Sequence, residues 1–325
     1  MNGKNKRRQE VPVKRRTAAI RSQSLGHRLA LDFRKNKLKY LMVIPILILL
    51  FLFCYRPMYG ILIAFKRYRP ALGVWDSPWV GFRYFRQFFR DPYCWRLFRN
   101  TLTISGLNLI FGFPAPIILA LLLNEVRSKR FKKAVQTVSY MPHFISTVVV
   151  CGMITTFCAS DGLFNNIIEM FGGTRSNLLQ NKNLFYPIYI ISDIWKGIGW
   201  DSIIYLAALS GIDQEQYEAA KIDGASRLQQ MFYITLPGLM PTVSMLLILR
   251  IGSLLSVGYE KIILLYQPTT YEVADVISSY VYRRGLMDGE FSYGTAVGLF
   301  NSIVSIILLL LANKASKKLG QSGLF

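Results

Sequence analysis

The chain is poor in the residues that carry metal and redox chemistry. It has two histidines, His27 and His143, and four cysteines, Cys54, Cys94, Cys151 and Cys158, in 325 residues. The cysteines show no C-x-x-C pairing, and three fall in or beside apolar runs. They read as small packing residues rather than as a disulfide framework or a metal site. The histidines are too few and too far apart for a metal constellation. His143 follows Pro142 in an apolar run and reads as a hydrogen-bonded kink residue. Acids are scarce too: 18 Asp and Glu stand against 39 Lys and Arg, a formal net charge of +21. In a soluble protein that balance would suggest nucleic acid. Here charge of either sign is missing over long stretches, since 100–124, 134–160 and 291–313 contain no Asp, Glu, Lys or Arg. Such runs meet the roughly 20 residues needed to cross a bilayer. With 52% hydrophobic and 14% aromatic residues, the expectation is an all-α, polytopic membrane protein, with lipid and not nucleic acid as its surroundings.

Six transmembrane helices are expected, at 40–65, 100–124, 135–159, 184–208, 239–266 and 291–313. Residues 1–39 form a basic tail with thirteen Lys and Arg against Glu10 and Asp32. The tail lacks the apolar run and small-residue cleavage site of a secretory signal. It reads as a cytoplasmic arm, either solvated or resting on anionic headgroups. Six spans then place both termini in the cytoplasm, including the tail at 317–325. The cationic loop EVRSKRFKK at 125–133 and Lys314, Lys317 and Lys318 agree. One segment disagrees: 66–99 would lie outside, yet holds eight Lys and Arg against Asp76 and Asp91. Its stretch VGFRYFRQFFRDPYCWRLF alternates aromatics and arginines at helical spacing. That pattern suits an amphipathic helix on the outer leaflet, or a lure for an acidic partner or anionic substrate.

The stretch EAAKIDGASRLQQMFYITLP at 218–237 is the most informative. Asp213 with Gln216 suggests a capping box opening one short helix. Gly224 supplies a permissive stop, and Ser226 with Gln229 opens a second helix across Leu228, Met231, Phe232 and Leu236. Pro237 should end that helix and redirect the chain. Small Ala219, Ala220 and Ala225 would let a partner approach the backbone, Phe232 offers an apolar plug, and Glu218 and Asp223 offer charge. On these residues alone, a docking site and an interfacial connector are equally consistent. The spacing resembles the EAA loop of binding-protein-dependent ABC importer permeases, through Glu218, Ala219, Ala220, Gly224, Ile234, Leu236 and Pro237. YRPMYGILIAFKRY, WVGFRYFRQFF…FRNTL and IWKGIGWDSIIYLAALSGID are similar to the sugar and polysaccharide branch. The resemblance covers about 40–316 and implies a type I importer transmembrane domain at 100–316, with its coupling loop at 212–240. It further implies a second permease subunit, two ATPase subunits, an external substrate-binding protein and a bacterial inner-membrane location. No G-x-x-x-x-G-K-[ST] loop occurs, so ATP and Mg are expected on a partner ATPase, with no cofactor or metal and no catalytic residue in this chain.

Charged groups inside spans are costly and mark candidate pathways. Asp193, Trp195, Lys196, Trp200 and Asp201 crowd the fourth span, with Asp193, Lys196 and Trp200 on one helical face. Asp193 and Lys196 could simply neutralise one another. Arg250, about 12 residues past Pro237 or roughly 18 Å along a helix, should face the interior and meet an acid such as Asp193, or substrate. Tyr259, Glu260, Asn108 and Asn301 are further candidates. The cations point to an acidic oligosaccharide, and the motifs resemble permeases for uronic-acid polymers such as alginate. Two alternatives stand beside a transport path in this chain. One is a secondary transporter, which would show broken-helix repeats around an ion site. The other is a subunit that only anchors an ATPase.

Overall fold

A computed structural model describes residues 32, 33, 35–318, 320 and 323–324. Most of the basic tail therefore lies outside the described residues. These are helical, with no named strand among them and only isolated bridges such as Lys66 with Trp79. Five described helices are long and apolar enough to cross a membrane: Lys37–Phe65, Cys94–Glu125, Thr147–Met170, Arg227–Gly252 and Phe291–Lys318. The expected fourth span is the 29-residue helix Lys182–Ser210. At 1.5 Å per residue it is about 43 Å long, and what sets it apart is its interior charge rather than its length.

The chain separates into two compact units, Met1–Gly60 and Ile61–Phe325. In the first, α1 (Lys37–Leu50) is apolar on every face beyond its first turn, which carries Lys37 and Lys39, and buries none of its residues. A helix with no polar stripe suits hydrocarbon on all sides. In the second unit, α2 (Arg83–Arg90) precedes α3 (Cys94–Leu107), which passes through a π turn at Asn108–Gly112 into α4 (Pro114–Glu125). Then come α5 (Lys129–Tyr140), α6 (Thr147–Cys158), α7 (Leu163–Met170) and the long α8 (Lys182–Ser210). The short α9 (Gln214–Ile222) and α10 (Arg227–Gln230) lead through a second π turn into α11 (Leu236–Gly252), followed by α12 (Tyr259–Leu265) and α13 (Phe291–Lys318).

Two expected spans differ in the structure. The third does not run through 135–159, because Pro142 lacks an N–H and disfavours helix before it. The chain makes a 3-10 turn at Met141–Phe144, and Ser146 then caps α6 by accepting from the Val149 N–H. His143 is therefore not a kink in a span. It lies in this turn and stacks on Trp200, with ring centres 4.4 Å apart. The fifth span ends at Gly252 instead of continuing to 266. There α11 lies so close to α13 that a Cβ on Gly252 would come within 2.7 Å of Leu309, and the chain restarts as α12 only at Tyr259. Pro237 also breaks nothing. It sits in the first turn of α11, where a missing N–H is harmless, and the wide π turn at Met231–Thr235 carries the helix into it.

Specific contacts define two opposite ends of the second unit. At one, Arg227 of α10 lies 3.9 Å from Glu125 at the end of α4. At the other, the Ser292 hydroxyl accepts from the Tyr68 N–H at 2.9 Å and donates to the Lys66 carbonyl at 2.7 Å. The same end holds the Lys182–Glu272 ion pair and the Asn100 amide, which donates to the carbonyls of Glu272 and Asp275 at 2.9 Å each. Helix α8 connects the two. It contributes Phe185, Tyr189 and Ile190 to an apolar cluster with Ile104, Cys151, Ile262 and Leu265, and Tyr205 and Leu209 to another with Ala120 and Leu239. Between those two dry layers α8 carries its charges.

At Gly199, α8 crosses α5 so tightly that any Cβ would overlap the carbonyl oxygen of Ser139. Gly199→Ala should lower stability by about 1–3 kcal/mol as the helices are pushed apart. Gly197→Ala is the control, since its Cβ would meet only Asp201 Oδ2 at 3.4 Å. Thermal unfolding of the two variants reads the difference, and equal melting points would refute the close-crossing argument.

Candidate functional site

The 213–237 bend is satisfied almost entirely from within. Asp213 caps α9 by accepting from the Glu215 N–H at 3.0 Å, while the reciprocal bond expected from Gln216 is not made. The helix ends as the Ala225 N–H reaches the Ala220 carbonyl at 2.8 Å and the Gly224 N–H reaches Lys221 at 3.1 Å. Gly224 has φ of 78°, the left-handed conformation that closes a helix and that a Cβ strains. Ser226 and Gln229 form both bonds of a capping box, at 2.7 and 3.4 Å. The Gln230 amide donates to the Ala225 carbonyl at 2.9 Å, and the Tyr217 and Thr235 hydroxyls, 2.9 Å apart, tie α9 to the π turn. A loop so bonded presents a defined surface rather than a floppy one.

That surface is apolar with acidic points. Ile222 is 87% exposed and Tyr233 80%, beside exposed Leu228 and Phe232. Glu218, Ala219, Asp223 and Pro237 are exposed, and Ala220 and Ala225 half-buried. Among the described residues Glu218 and Asp223 make no ion pair within the chain. The exposure of Ile222 and Tyr233 was not legible in the sequence, because only the observed turn leaves both side chains outside the packed core.

Between the two apolar layers lies a cavity of about 580 Å³, lined by Asn108, His143, Asp193, Lys196, Trp200, Asp201 and Arg250 among others. A second of about 290 Å³ adjoins it, sharing Asn108, Asp193, Lys196 and Arg250 and adding Thr147, Glu260 and Lys261. Asp193, Lys196 and Trp200, expected on one face of α8, all line this space. Trp195 does not line either cavity and is 45% exposed elsewhere. Tyr259 also lies off the cavity, stacked on Tyr282 with centres 4.8 Å apart. Asn301 is not among its lining residues either.

The pairing inside differs from the expected one. Asp193 does not bond Lys196, which donates to the Thr147 hydroxyl at 2.8 Å. Its partner is Lys261, at 3.2 Å, whose ammonium also bonds the Tyr189 carbonyl at 2.8 Å and lies 4.2 Å from the Tyr189 ring centre. Arg250 reaches Asp193 only through an amide. It donates to Asn108 Oδ1 at 2.6 Å, and Asn108 Nδ2 donates to Asp193 Oδ2 at 2.7 Å. Asn108 opens the α3–α4 π turn, a distortion frequent at functional sites, and lies against Gly112, where a Cβ would overlap its amide. Lys261 was read only as one of the charges on a single helix over 239–266; the end of α11 at Gly252 and the restart at Tyr259 are what bring it to Asp193. The result is a lining of three cations and three acids. Lys261 and Asp193 compensate each other, while Arg250 and Lys196 hold their places through neutral partners and keep spare donors.

A family model described as binding-protein-dependent transport system inner membrane component matches residues 112–320. A polygalacturonan/rhamnogalacturonan transport system permease protein of Bacillus subtilis (strain 168) is 47% identical over 309 residues, spanning 95% of this chain and 96% of that one. A chain of a crystallised bacterial ABC transporter involved in importing the acidic polysaccharide alginate superposes with a TM-score of 0.83 at 48% identity, covering 90% of this chain and 99% of that one. A bacterial alginate ABC transporter in complex with an alginate pentasaccharide-bound periplasmic protein gives 0.84 at 47% identity, with 91% and 100% covered.

Proposed function

We propose that this chain, which belongs to the family of binding-protein-dependent transport system inner membrane components, passes an acidic oligosaccharide along α8. It is a multi-pass permease of the sugar and polysaccharide branch. The observation that carries the substrate class is the cavity between the apolar layers, where Arg250 and Lys196 face space without an acid bonded to them. Guanidinium and ammonium groups held by neutral partners can release donors to a carboxylate, and Trp200 offers a ring face for a sugar. Relatives that handle polygalacturonan and alginate support the same chemistry.

In this reading the 213–237 bend docks on a cytoplasmic ATPase subunit. ATP and Mg act there, and an external binding protein delivers substrate at the opposite end. Glu218, Asp223, Ile222, Phe232 and Tyr233 would make the contacts, and the bonded frame around Gly224 would transmit the motion to α8 and α11. The end bearing the bend is then cytoplasmic, in a bacterial inner membrane.

Uptake into proteoliposomes holding the assembled importer tests the proposal, with uronic and neutral oligosaccharides of equal length. Arg250→Gln should reduce uronic uptake about tenfold, the weight of one charge-assisted bond, and neutral uptake less than about twofold. Equal loss for both substrates would overturn the charge argument. Uptake without ATP would overturn the importer reading itself.

A further inference from the structure

Helix α2, RYFRQFFR, is divided sharply between two faces. Phe88 is 1% exposed, and Phe85 packs on Phe65 with ring centres 5.5 Å apart. Burying those rings turns Arg83, Arg86 and Arg90, at i, i+3 and i+7, to the outside. All three are exposed. No acid pairs with them among the described residues. They rim an open hollow of about 850 Å³ with Gln87 and Asp91. Asp91 makes no ion pair with them; its carboxylate accepts from the Tyr93 N–H at 2.9 Å and from the Tyr280 hydroxyl at 2.5 Å, and its one negative charge leaves the rim net positive.

The surroundings of that hollow say where it sits. Helix α2 lies between the end of one candidate span at Phe65 and the start of the next at Cys94. Trp79 stacks on Phe65, with ring centres 5.7 Å apart, and holds the segment to the span end. Phe82, Phe89, Trp79 and Trp95 nonetheless remain 64%, 56%, 62% and 79% exposed. Large aromatic rings left outward beside a span end are the composition of the headgroup layer. Arginines on the same short helix then meet phosphates at that depth.

We propose that the Arg83–Arg86–Arg90 face binds the phosphate of an anionic phospholipid headgroup, in the leaflet opposite the 213–237 bend. The aromatic rings hold the acyl-chain boundary, and the three positive charges attract and bond the phosphate oxygens. The site is separate from the transport path and does not depend on which sugar is carried.

The test uses the full chain with its partner subunits retained, in mild detergent, titrated with phosphatidylglycerol, phosphatidylcholine or inorganic phosphate and read by native mass spectrometry. The parent should prefer phosphatidylglycerol over phosphatidylcholine by about tenfold or more, given about fivefold per surface arginine before screening. Arg83→Gln/Arg86→Gln/Arg90→Gln should lose that preference, and the matching triple Lys variant should keep it. Inorganic phosphate should compete only weakly. Equal binding of the two lipids by the parent would overturn the proposal, as would a preference that survives in the Gln variant. Saturation by inorganic phosphate alone would reassign the hollow to a free anion. Loss of external binding-protein affinity in the Gln variant, with lipid preference intact, would reassign it to that protein.

Discussion

Importer complexes carrying Gly224→Asp should insert and fold their permease yet transport about a hundredfold more slowly than the parent, while Gly224→Ala loses only a fewfold. The two variants separate strain from docking. Gly224 has φ of 78°, and a Cβ there meets nothing within 4 Å of its own chain. Alanine therefore costs only the left-handed backbone, about 1 kcal/mol. Aspartate tolerates that conformation better than alanine, so a purely local role would make Asp the milder change. If a partner surface closes over the exposed bend, the new carboxylate is desolvated without a counter-charge, at about 2–5 kcal/mol. Transport and ATPase stimulation measured in proteoliposomes, with membrane insertion checked in parallel, decide the matter. An Asp variant no worse than the Ala variant would sink the docking role of this loop.

Lys261→Met should be the most damaging single change in the cavity. It removes the ammonium that holds Asp193 at 3.2 Å and the Tyr189 carbonyl at 2.8 Å. Breaking a buried pair one-sidedly costs about 3–5 kcal/mol. The Asp193 side chain is 39% exposed into the cavity and Lys261 12%, so screening reduces the expected loss to about 2 kcal/mol. The carboxylate left behind stays tethered to Asn108 and draws Arg250 out of its present position. Neutralising both partners, Lys261→Met with Asp193→Asn, should restore more than half the lost stability. Melting temperatures of the two singles and the double form a cycle with a coupling of about 1–2 kcal/mol. Additive losses would show that the pair does not act as a unit. Lys196→Gln is the contrast: its bond partner is the Thr147 hydroxyl, so its removal leaves no charge stranded and should cost little stability.

Local chemistry was legible from the residues themselves. Gly224 as a stop and Ser226 with Gln229 as a capping box act between near neighbours in the chain and stand where they were expected. Asp213 caps its helix through the Glu215 N–H, without the bond expected from Gln216. The shared face of Asp193, Lys196 and Trp200 was legible for the same reason, since helical periodicity alone sets it. Prolines misled in both directions. Pro237 was expected to stop a helix, but at the first turn of α11 it costs no hydrogen bond. Pro142 was read as no more than a kink within a run that looked continuous because it carries no charge, whereas it ends one helix and the next starts at Thr147. Apolar composition shows where lipid can be tolerated, but not where the backbone turns.

Composition and short-range spacing were enough to determine an all-α membrane protein, the long uncharged runs, the double-helix bend and the charged face of α8. Each follows from transfer free energies of residues or from bonds between near neighbours in the chain. The tertiary structure alone decided which charges meet. Asp193 and Lys261 are 68 residues apart, and Arg250 reaches Asn108 across 142. A carboxylate in an apolar bundle needs a cation, but any of several would serve. Which one it finds depends on the break of α11 at Gly252, the π turn at Asn108 and the packing of α8 between its two dry layers.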